Sequence, residues 1–137
     1  MKKQTLSLVS LFLGMIFSPA YGQTGGIKVN VPFQFTVAGK SLPAGAYVFS
    51  STRGEIWVRN SHGNGVAMAL VNSVDGHSPS SKGELMFHCY RSRCFLSQLW
   101  NPLQGQGQQL LQSEEEKEAA KQDPATYFAL IGLPSKH

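Results

Sequence analysis

Residues 27–37, IKVNVPFQFTV, alternate apolar and polar side chains over the whole stretch. A period of two predicts a β-strand that buries one face, because successive side chains of a strand point to opposite sides. Pro32 has no backbone N–H to donate to a neighbouring strand, so a bulge or a sheet edge is expected there. The stretch predicts a domain built on β-structure, with a buried face made of Ile27, Val29, Val31, Phe33, Phe35 and Val37.

Short runs of the same kind follow along the chain, separated by residues typical of turns. The pair Asn64-Gly65 is the strongest hairpin signal, and the polar residues 72–83 are predicted to form a surface loop. Such a series favours a mainly β fold, an antiparallel meander that forms a small barrel or a sandwich with a short C-terminal helix; the sequence leaves barrel and sandwich open. The predicted strands are 46–51, 55–60, 66–71, 84–90 and 94–100, with a short last one at 110–111.

The C-terminal residues differ in composition from the rest. Ser113 and Glu116 form a capping box that predicts a short, solvated helix at 113–122, since the segment has little apolar surface. Residues 125–133 are apolar enough to dock on the body, as a helix or as a strand. The expected organisation is a signal peptide at 1–22, a β-domain at 23–112 and a helical C-terminal tail at 113–137.

The first 22 residues have the three parts of a secretory signal peptide. Lys2 and Lys3 precede an apolar core at 6–17, and the small residues Ala20 and Gly22 precede the expected cleavage site. A core of twelve residues is shorter than the roughly 20 apolar residues that a membrane-spanning helix needs. The protein is predicted to be exported, either periplasmic or extracellular, with no stable membrane span after signal removal.

The charged residues after the signal segment are unevenly distributed. Residues 23–112 contain seven basic and three acidic residues, a net charge of +4, whereas residues 113–137 contain three basic and five acidic ones, a net charge of −2. A positive body suits an anionic surface, but its basic residues are dispersed along the chain. Nucleic-acid binding is therefore not predicted, and an envelope component or a small ligand is the expected kind of partner.

Both cysteines of the chain lie in the stretch 87–96, FHCYRSRCFL. A four-residue turn at 90–93 places Cys89 opposite Cys94 within disulfide reach, and export favours oxidation. A zinc site is disfavoured, because His88 and Cys89 are adjacent on a strand and point to opposite faces. The favoured interpretation is a disulfide that pins the hairpin.

The same hairpin is expected to present Tyr90, Arg91 and Arg93 outward as candidate surface contacts. The two arginines would also stabilise thiolates, which leaves a redox role open. Trp57 is a further candidate surface contact, because it falls on the polar side of its predicted strand. An exposed tryptophan indicates a carbohydrate or protein contact, although a closed sandwich would hide it.

Motifs of catalysis are missing from the sequence. There is no G-x-S-x-G, and the glycine-rich stretches lack the lysine and the following helix of a phosphate-binding loop. Asp75, His77 and Ser78 have the residue types of a catalytic triad, but neighbours in one polar loop rarely converge. No enzyme activity, no cofactor and no metal site is predicted.

Two segments together resemble an uncharacterised group of small exported bacterial proteins, namely VNVPFQFTVAGKSLPAGAYVFS and GELMFHCYRSRCFLSQLW. That group has a V-P-F-x-F-x-V-x-x-K-x-L-P-A-G-x-Y opening, an F-H-x-Y…F-L-S-x-x-W segment and a charged C-terminal helix. The two motifs occupy residues 31–47 and 87–100 here. The resemblance implies export and a β-rich fold, and it assigns no activity and no site residues. The two cysteines and residues 127–133 depart from the group's pattern.

These observations predict an exported, non-enzymatic β-domain that acts in binding or in envelope structure. The alternative is a small β-barrel that carries an apolar ligand, because many aromatic residues fall at strand positions. A thiol–disulfide protein that uses Cys89 and Cys94 is the less favoured third candidate.

Overall fold

The computed structural model describes residues 26–76, 82–102 and 106–134, so the predicted signal peptide at 1–22 lies outside the described residues. The described residues form ten β-strands and one α-helix. In chain order these are β1 (Ile27–Val31), β2 (Phe35–Val37), β3 (Lys40–Leu42), β4 (Gly45–Thr52), β5 (Glu55–Asn60), β6 (Gly65–Val74), β7 (Gly83–Tyr90), β8 (Arg93–Trp100), β9 (Gly107–Leu110), α1 (Glu114–Gln122) and β10 (Thr126–Pro134).

Eight of the strands close into a barrel. The order round the ring is β1, β4, β5, β6, β9, β8, β7 and β10, which returns to β1, and every neighbouring pair is antiparallel. The hairpin β2–β3 is not one of the eight ring strands; β2 runs parallel to β8 through the pair Thr36–Phe95, and its Phe35 and Val37 are buried in the core. The prediction of a mainly β, antiparallel fold with a short helix is confirmed, and the chain forms the barrel of the two shapes left open.

The opening stretch 27–37 is two strands and not one. β1 ends at Val31, and β2 begins only at Phe35 on the far side of the Pro32 break. The physical reason is the missing N–H of the proline, which ends the pairing of β1 with β4 at Val31 and Gly45. The apolar face still points inward on both sides of the break, so the alternation predicts burial correctly even though the strand is interrupted.

Two predicted loops are partly strand. Residues 72–74, assigned to the polar surface loop, continue β6 and pair with residues 107–109 of β9. The rest of that predicted loop includes residues 77–81, which lie outside the described residues. β9 itself forms from the glycine- and glutamine-rich segment, because its backbone bonds to β6 on one side and to β8 on the other. Backbone pairing here overrides a side-chain composition typical of loops.

The C-terminal residues contain one helix and one barrel strand. The helix α1 begins after Ser113, whose Oγ accepts a hydrogen bond from the backbone N–H of Glu116 at 3.2 Å. The expectation of a fully solvated helix is wrong, because Glu116 and Ala119 are 6% and 0% exposed. Residues 125–133, left open between helix and strand, fall almost entirely in β10 (Thr126–Pro134), which lies between β7 and β1. The range 113–137 therefore supplies part of the barrel wall.

Two glycines allow the barrel to close between β10 and β1. Gly83 and Gly132 lie opposite each other on β7 and β10, and the side chains of Ile27 and Val29 rest on them. A Cβ atom on Gly132 would lie 2.5 Å from Cγ2 of Val29, so a side chain there would push β1 away. The close approach explains why glycine occupies both positions.

The barrel interior is filled by aromatic rings from three strands, β2, β4 and β7, and from the segment after β1. Phe35 contacts Tyr47 and Phe87 with ring centroids 5.2 Å and 5.6 Å apart, and Phe33 contacts Phe87 at 5.2 Å. Phe35, Phe49 and Phe87 are at most 1% exposed. Edge-to-face contacts of this kind pack a small barrel solidly, with side chains where a larger barrel would hold a ligand.

Candidate functional site

The outer faces of β1, β4, β5 and β10 carry a row of side chains in which apolar residues and cations alternate. Cross-strand pairing puts Lys28 opposite Leu133 on one side and opposite Val48 on the other, and Val48 is in turn opposite Arg59. Directly opposed residues have Cβ atoms about 5 Å apart, so the two cations are roughly 10 Å apart with Val48 between them. We call Leu133, Lys28, Val48 and Arg59 the cation row.

A surface groove of about 430 Å³ runs along this row, between Lys28 and the turn that follows Arg59. The turn is held by Asn60, whose Oδ1 accepts hydrogen bonds from the backbone N–H groups of His62 and Asn64, both at 3.0 Å. Arg59 is opposite Gly65 on β6, next to a bulge, so no side chain covers it from that direction. A fixed turn and a missing neighbour together leave the guanidinium accessible.

The two cations of the row are not paired with an acid among the described residues. Within the described part of the chain, no ion pair joins Lys28 or Arg59 to a carboxylate, and none of the groove's lining residues is Asp or Glu. The nearest acid along β5 is Glu55, four residues from Arg59, or about 13 Å along a strand. Its carboxylate accepts a hydrogen bond from Trp57 Nε1 at 3.3 Å. The groove is thus a site of positive potential.

Exposed apolar side chains lie beside the cation row. Trp57 is on the outer face of β5, 38% exposed and two residues from Arg59, and it lies opposite Met68 of β6. Met68 and Leu133 are also exposed. Trp57 is therefore accessible, as its place in the alternation of β5 predicts.

The cysteine hairpin carries the expected disulfide between Cys89 and Cys94, which are opposite each other on β7 and β8. The turn is shorter than predicted, because Tyr90 pairs with Arg93 and only residues 91–92 connect the strands. Cys89 points into the barrel and is 1% exposed, whereas His88 points to the outer face. The two side chains are on opposite faces, so they do not form a joint metal site.

The prediction that Tyr90 is a surface contact is wrong, because helix α1 covers it. Tyr90 is 5% exposed and packs with Phe95 and Ala119. Its hydroxyl donates a hydrogen bond to Glu116 Oε2 at 2.9 Å. Burial and the neighbouring carboxylate of Glu116 raise the pKa of Tyr90 to about 12. No sequence signal near Tyr90 points to the helix, which begins 24 residues later at Glu114.

The two arginines of the hairpin are exposed, but only one is unpaired. Arg91 donates through Nε to Asp123 Oδ1 at 2.7 Å, just after the end of α1. Arg93 has no carboxylate partner among the described ion pairs. Arg91 thus ties the hairpin to the helix end, and its role in the fold is a structural one.

A polar pocket of about 230 Å³ lies under α1, next to Tyr90. His88 Nδ1 is 3.4 Å from Glu116 Oε2, and the His88 ring contacts the ring of Tyr127 with centroids 4.7 Å apart. Ser97 also lines this pocket, which brings together the residue types of a nucleophilic triad. No hydrogen bond of the described residues connects Ser97 to His88, so the nucleophile–base contact that such chemistry needs is missing. The cluster anchors the helix.

No family model, curated protein or solved structure matches this chain. The resemblance to the exported group therefore stays a prediction. Over residues 26–76, 82–102 and 106–134, no cluster of three or more His, Cys, Asp or Glu is arranged to hold a metal ion. No helix in those ranges is long and apolar enough to cross a membrane.

Sequence reasoning missed the cation row. Lys28 and Arg59 are 31 residues apart, and each reads as an ordinary polar position of an amphipathic strand. The one signal in the sequence that could have indicated the row is that both residues fall on the outer side of strongly alternating strands. Their proximity depends on the register of β4 between β1 and β5, which the local pattern does not specify.

Proposed function

We propose that this protein is an exported, non-enzymatic binding domain whose ligand-binding surface is the groove along the cation row. The observation that carries the proposal is a pair of accessible cations, Lys28 and Arg59, that face one groove without an acidic partner among the described residues. Unpaired cations that converge on a groove attract anionic groups. Export follows from the signal-peptide pattern of residues 1–22.

The packed interior argues against the alternative of an apolar-ligand carrier. Carrier barrels keep a cavity inside the ring of strands, whereas Phe35, Phe49 and Phe87 occupy that space here. A ligand inside would have to displace at least one of these rings. The outer surface is therefore the better candidate for binding.

The placement of the cysteines favours a structural disulfide over thiol–disulfide chemistry. A reactive thiolate needs access to its substrate, and Cys89 is buried against the core. Cys94 is only partly exposed at the hairpin. The bond supports the turn whose Arg91 pairs with Asp123.

Two measurements test this proposal. Native mass spectrometry of protein purified from its own host is expected to give the mass of the polypeptide alone, lower by two hydrogens than the reduced chain. On phosphocellulose, the double variant Lys28→Ser/Arg59→Ser is expected to elute at lower salt than the control variant Lys40→Ser/Arg93→Ser. The control removes two positive charges as well, but from β3 and β8. Equal elution of the two variants, or a co-purifying apolar molecule, would contradict the proposal.

A further inference from the structure

The cation row combines charge with exposed apolar surface, and this combination narrows the chemistry of its partner. A free anion needs only the cations and hydrogen-bond donors of a groove. The flanking side chains of Leu133, Trp57 and Met68 are exposed to solvent and would gain nothing from binding such an anion. They gain from contact with a molecule that carries an apolar part next to its negative charge.

The spacing of the groups matches the interface of a lipid membrane. Lys28 and Arg59 flank Val48 in one row. Trp57 lies on the same face of β5 as Arg59, two residues before it and about 7 Å away along the strand. Tryptophan is favoured at the level of the lipid headgroups, where its ring is half immersed and its N–H remains solvated. Lys and Arg reach from there to phosphate groups while their carbon chains cover apolar surface.

The charge distribution of the barrel fits an approach to a negative surface by this face. β1 and β4 contain no acidic residue, and the only acid on β5 is Glu55, which is about 13 Å along the strand from Arg59 and accepts the hydrogen bond of Trp57 Nε1. The acidic residues of α1 lie across the ring, because α1 covers β7 and β8 while β8 is diametrically opposite β4. The acid-rich first turn of α1 thus lies away from the cation row, which favours an approach of the row itself to an anionic surface.

We infer that the cation row, together with Trp57 and Met68, is a docking surface for an anionic lipid membrane, with headgroup phosphates between Lys28 and Arg59. The inference rests on the proposed function and names the partner of the same groove. Binding is peripheral and depends on ionic strength, because screened charges supply much of the attraction.

The experiment is co-sedimentation of the purified protein with vesicles of phosphatidylcholine alone and with vesicles that also contain phosphatidylglycerol. We expect binding only to the anionic vesicles, with the affinity falling as salt is added. Each cation near an anionic membrane contributes about 1 kcal/mol to the binding free energy. Lys28→Ser or Arg59→Ser is therefore expected to lower the affinity about fivefold, and the double variant about thirtyfold. The control variant Lys40→Ser/Arg93→Ser, equal in net charge, changes it less than twofold. Circular dichroism of each variant verifies the fold.

Trp57 provides a second measurement. The other tryptophan, Trp100, is 9% exposed and hydrogen-bonded to Gln98, so a change of emission on vesicle binding comes from Trp57. We expect its emission to shift to the blue with anionic vesicles and the shift to vanish in Trp57→Phe, which still sediments with them.

The outcomes separate this inference from the proposed function. Suppose that inorganic pyrophosphate binds and needs Lys28 and Arg59, whereas anionic vesicles do not bind. The groove is then a site for a soluble anion, and the membrane inference is wrong. If neither binds, both are wrong. Equal loss of vesicle binding in the double variant and in the Lys40/Arg93 control would overturn the assignment to this face.

Discussion

Two outer faces of the same barrel differ in how their charges are satisfied. On β7 and β8, helix α1 covers Tyr90 and Phe95. The Glu116 carboxylate accepts a hydrogen bond from the Tyr90 hydroxyl, and Arg91 forms an ion pair with Asp123. On β1, β4 and β5 no described segment forms such a cover, and the cations of the row have no carboxylate partner among the described residues. We call the first the covered face and the second the bare face. This difference is the basis of the proposal that the bare face binds a partner.

The strongest way to break the covered face is to place a charge under the helix. Ala119 is 0% exposed against Tyr90 and Phe95, so Ala119→Lys is expected to lower the free energy of unfolding by about 3 kcal/mol through overpacking and burial of an ammonium group. Urea denaturation measures the change. Ala120→Lys, on the exposed side of the same helix, is the matched control and should change stability by less than about 0.5 kcal/mol. Similar effects for both would show that α1 is not docked.

The buried phenol makes the covered face sensitive to alkaline pH. Burial and Glu116 raise the pKa of Tyr90 to about 12, above the value of 10.0 for a solvated phenol. A raised pKa means that the contribution of neutral Tyr90 to stability is complete below pH 10 and is lost as pH rises through 12. The expected loss is on the order of 2 kcal/mol.

The comparison with Tyr90→Phe isolates that contribution, since Tyr47, whose pKa burial also raises, is present in both proteins. Unfolding in urea at several pH values between 9 and 12 should show the stability of the two proteins converging as pH rises. A constant difference across this range would mean that Tyr90 ionises at the same pH in the folded and unfolded states, which would contradict a raised pKa in the fold.

The disulfide closes the hairpin whose Arg91 pairs with Asp123 at the end of α1. Replacing both cysteines by serine is expected to lower stability by about 2 kcal/mol, because the closed loop is short. Thermal or urea unfolding measures the loss, and reduction of the unchanged protein should give a similar value. A loss of vesicle binding in the double serine variant, with the fold intact, would argue that the hairpin takes part in binding.

The smallest stability effects are expected where charges are exposed. Arg91→Ala removes an ion pair whose arginine side chain is 81% exposed, so the change should be below about 0.5 kcal/mol. Lys28→Ser/Arg59→Ser should also leave stability within about 0.5 kcal/mol, while it lowers retention on phosphocellulose. A marked destabilisation by the Lys28/Arg59 variant would mean that the bare face has a structural role.

Much of the fold is predictable from local pattern. The strands at 55–60, 84–90 and 94–100 follow directly from alternation and turn residues, and the Ser113 cap marks the start of α1. The missed strands have a common cause, which is pairing between distant segments: β9 and residues 72–74 become strands because they bond to each other. The break at Pro32 has a local cause, the missing N–H of the proline, and only the pairing of β2 with β8 beyond it is a long-range contact.

The candidate site is less predictable than the fold. Trp57 is found by its place on the polar side of β5, and the cysteine pair by its spacing. Tyr90 is misassigned, because the helix that buries it is distant in sequence and its docking residues, Glu116 and Ala119, do not form an apolar stripe. The cation row is invisible to local reasoning for the same reason.

The sequence by itself determined which side chains of β1, β4 and β5 point inward, where the cysteines close a hairpin and where the helix begins. These properties depend on the two-residue period of a strand and on neighbours within a few positions. The tertiary structure alone decided that the strands form a barrel, that α1 covers one face and that Lys28 and Arg59 share one groove. Those relations depend on register and ring closure, which arise from contacts between segments far apart in the chain.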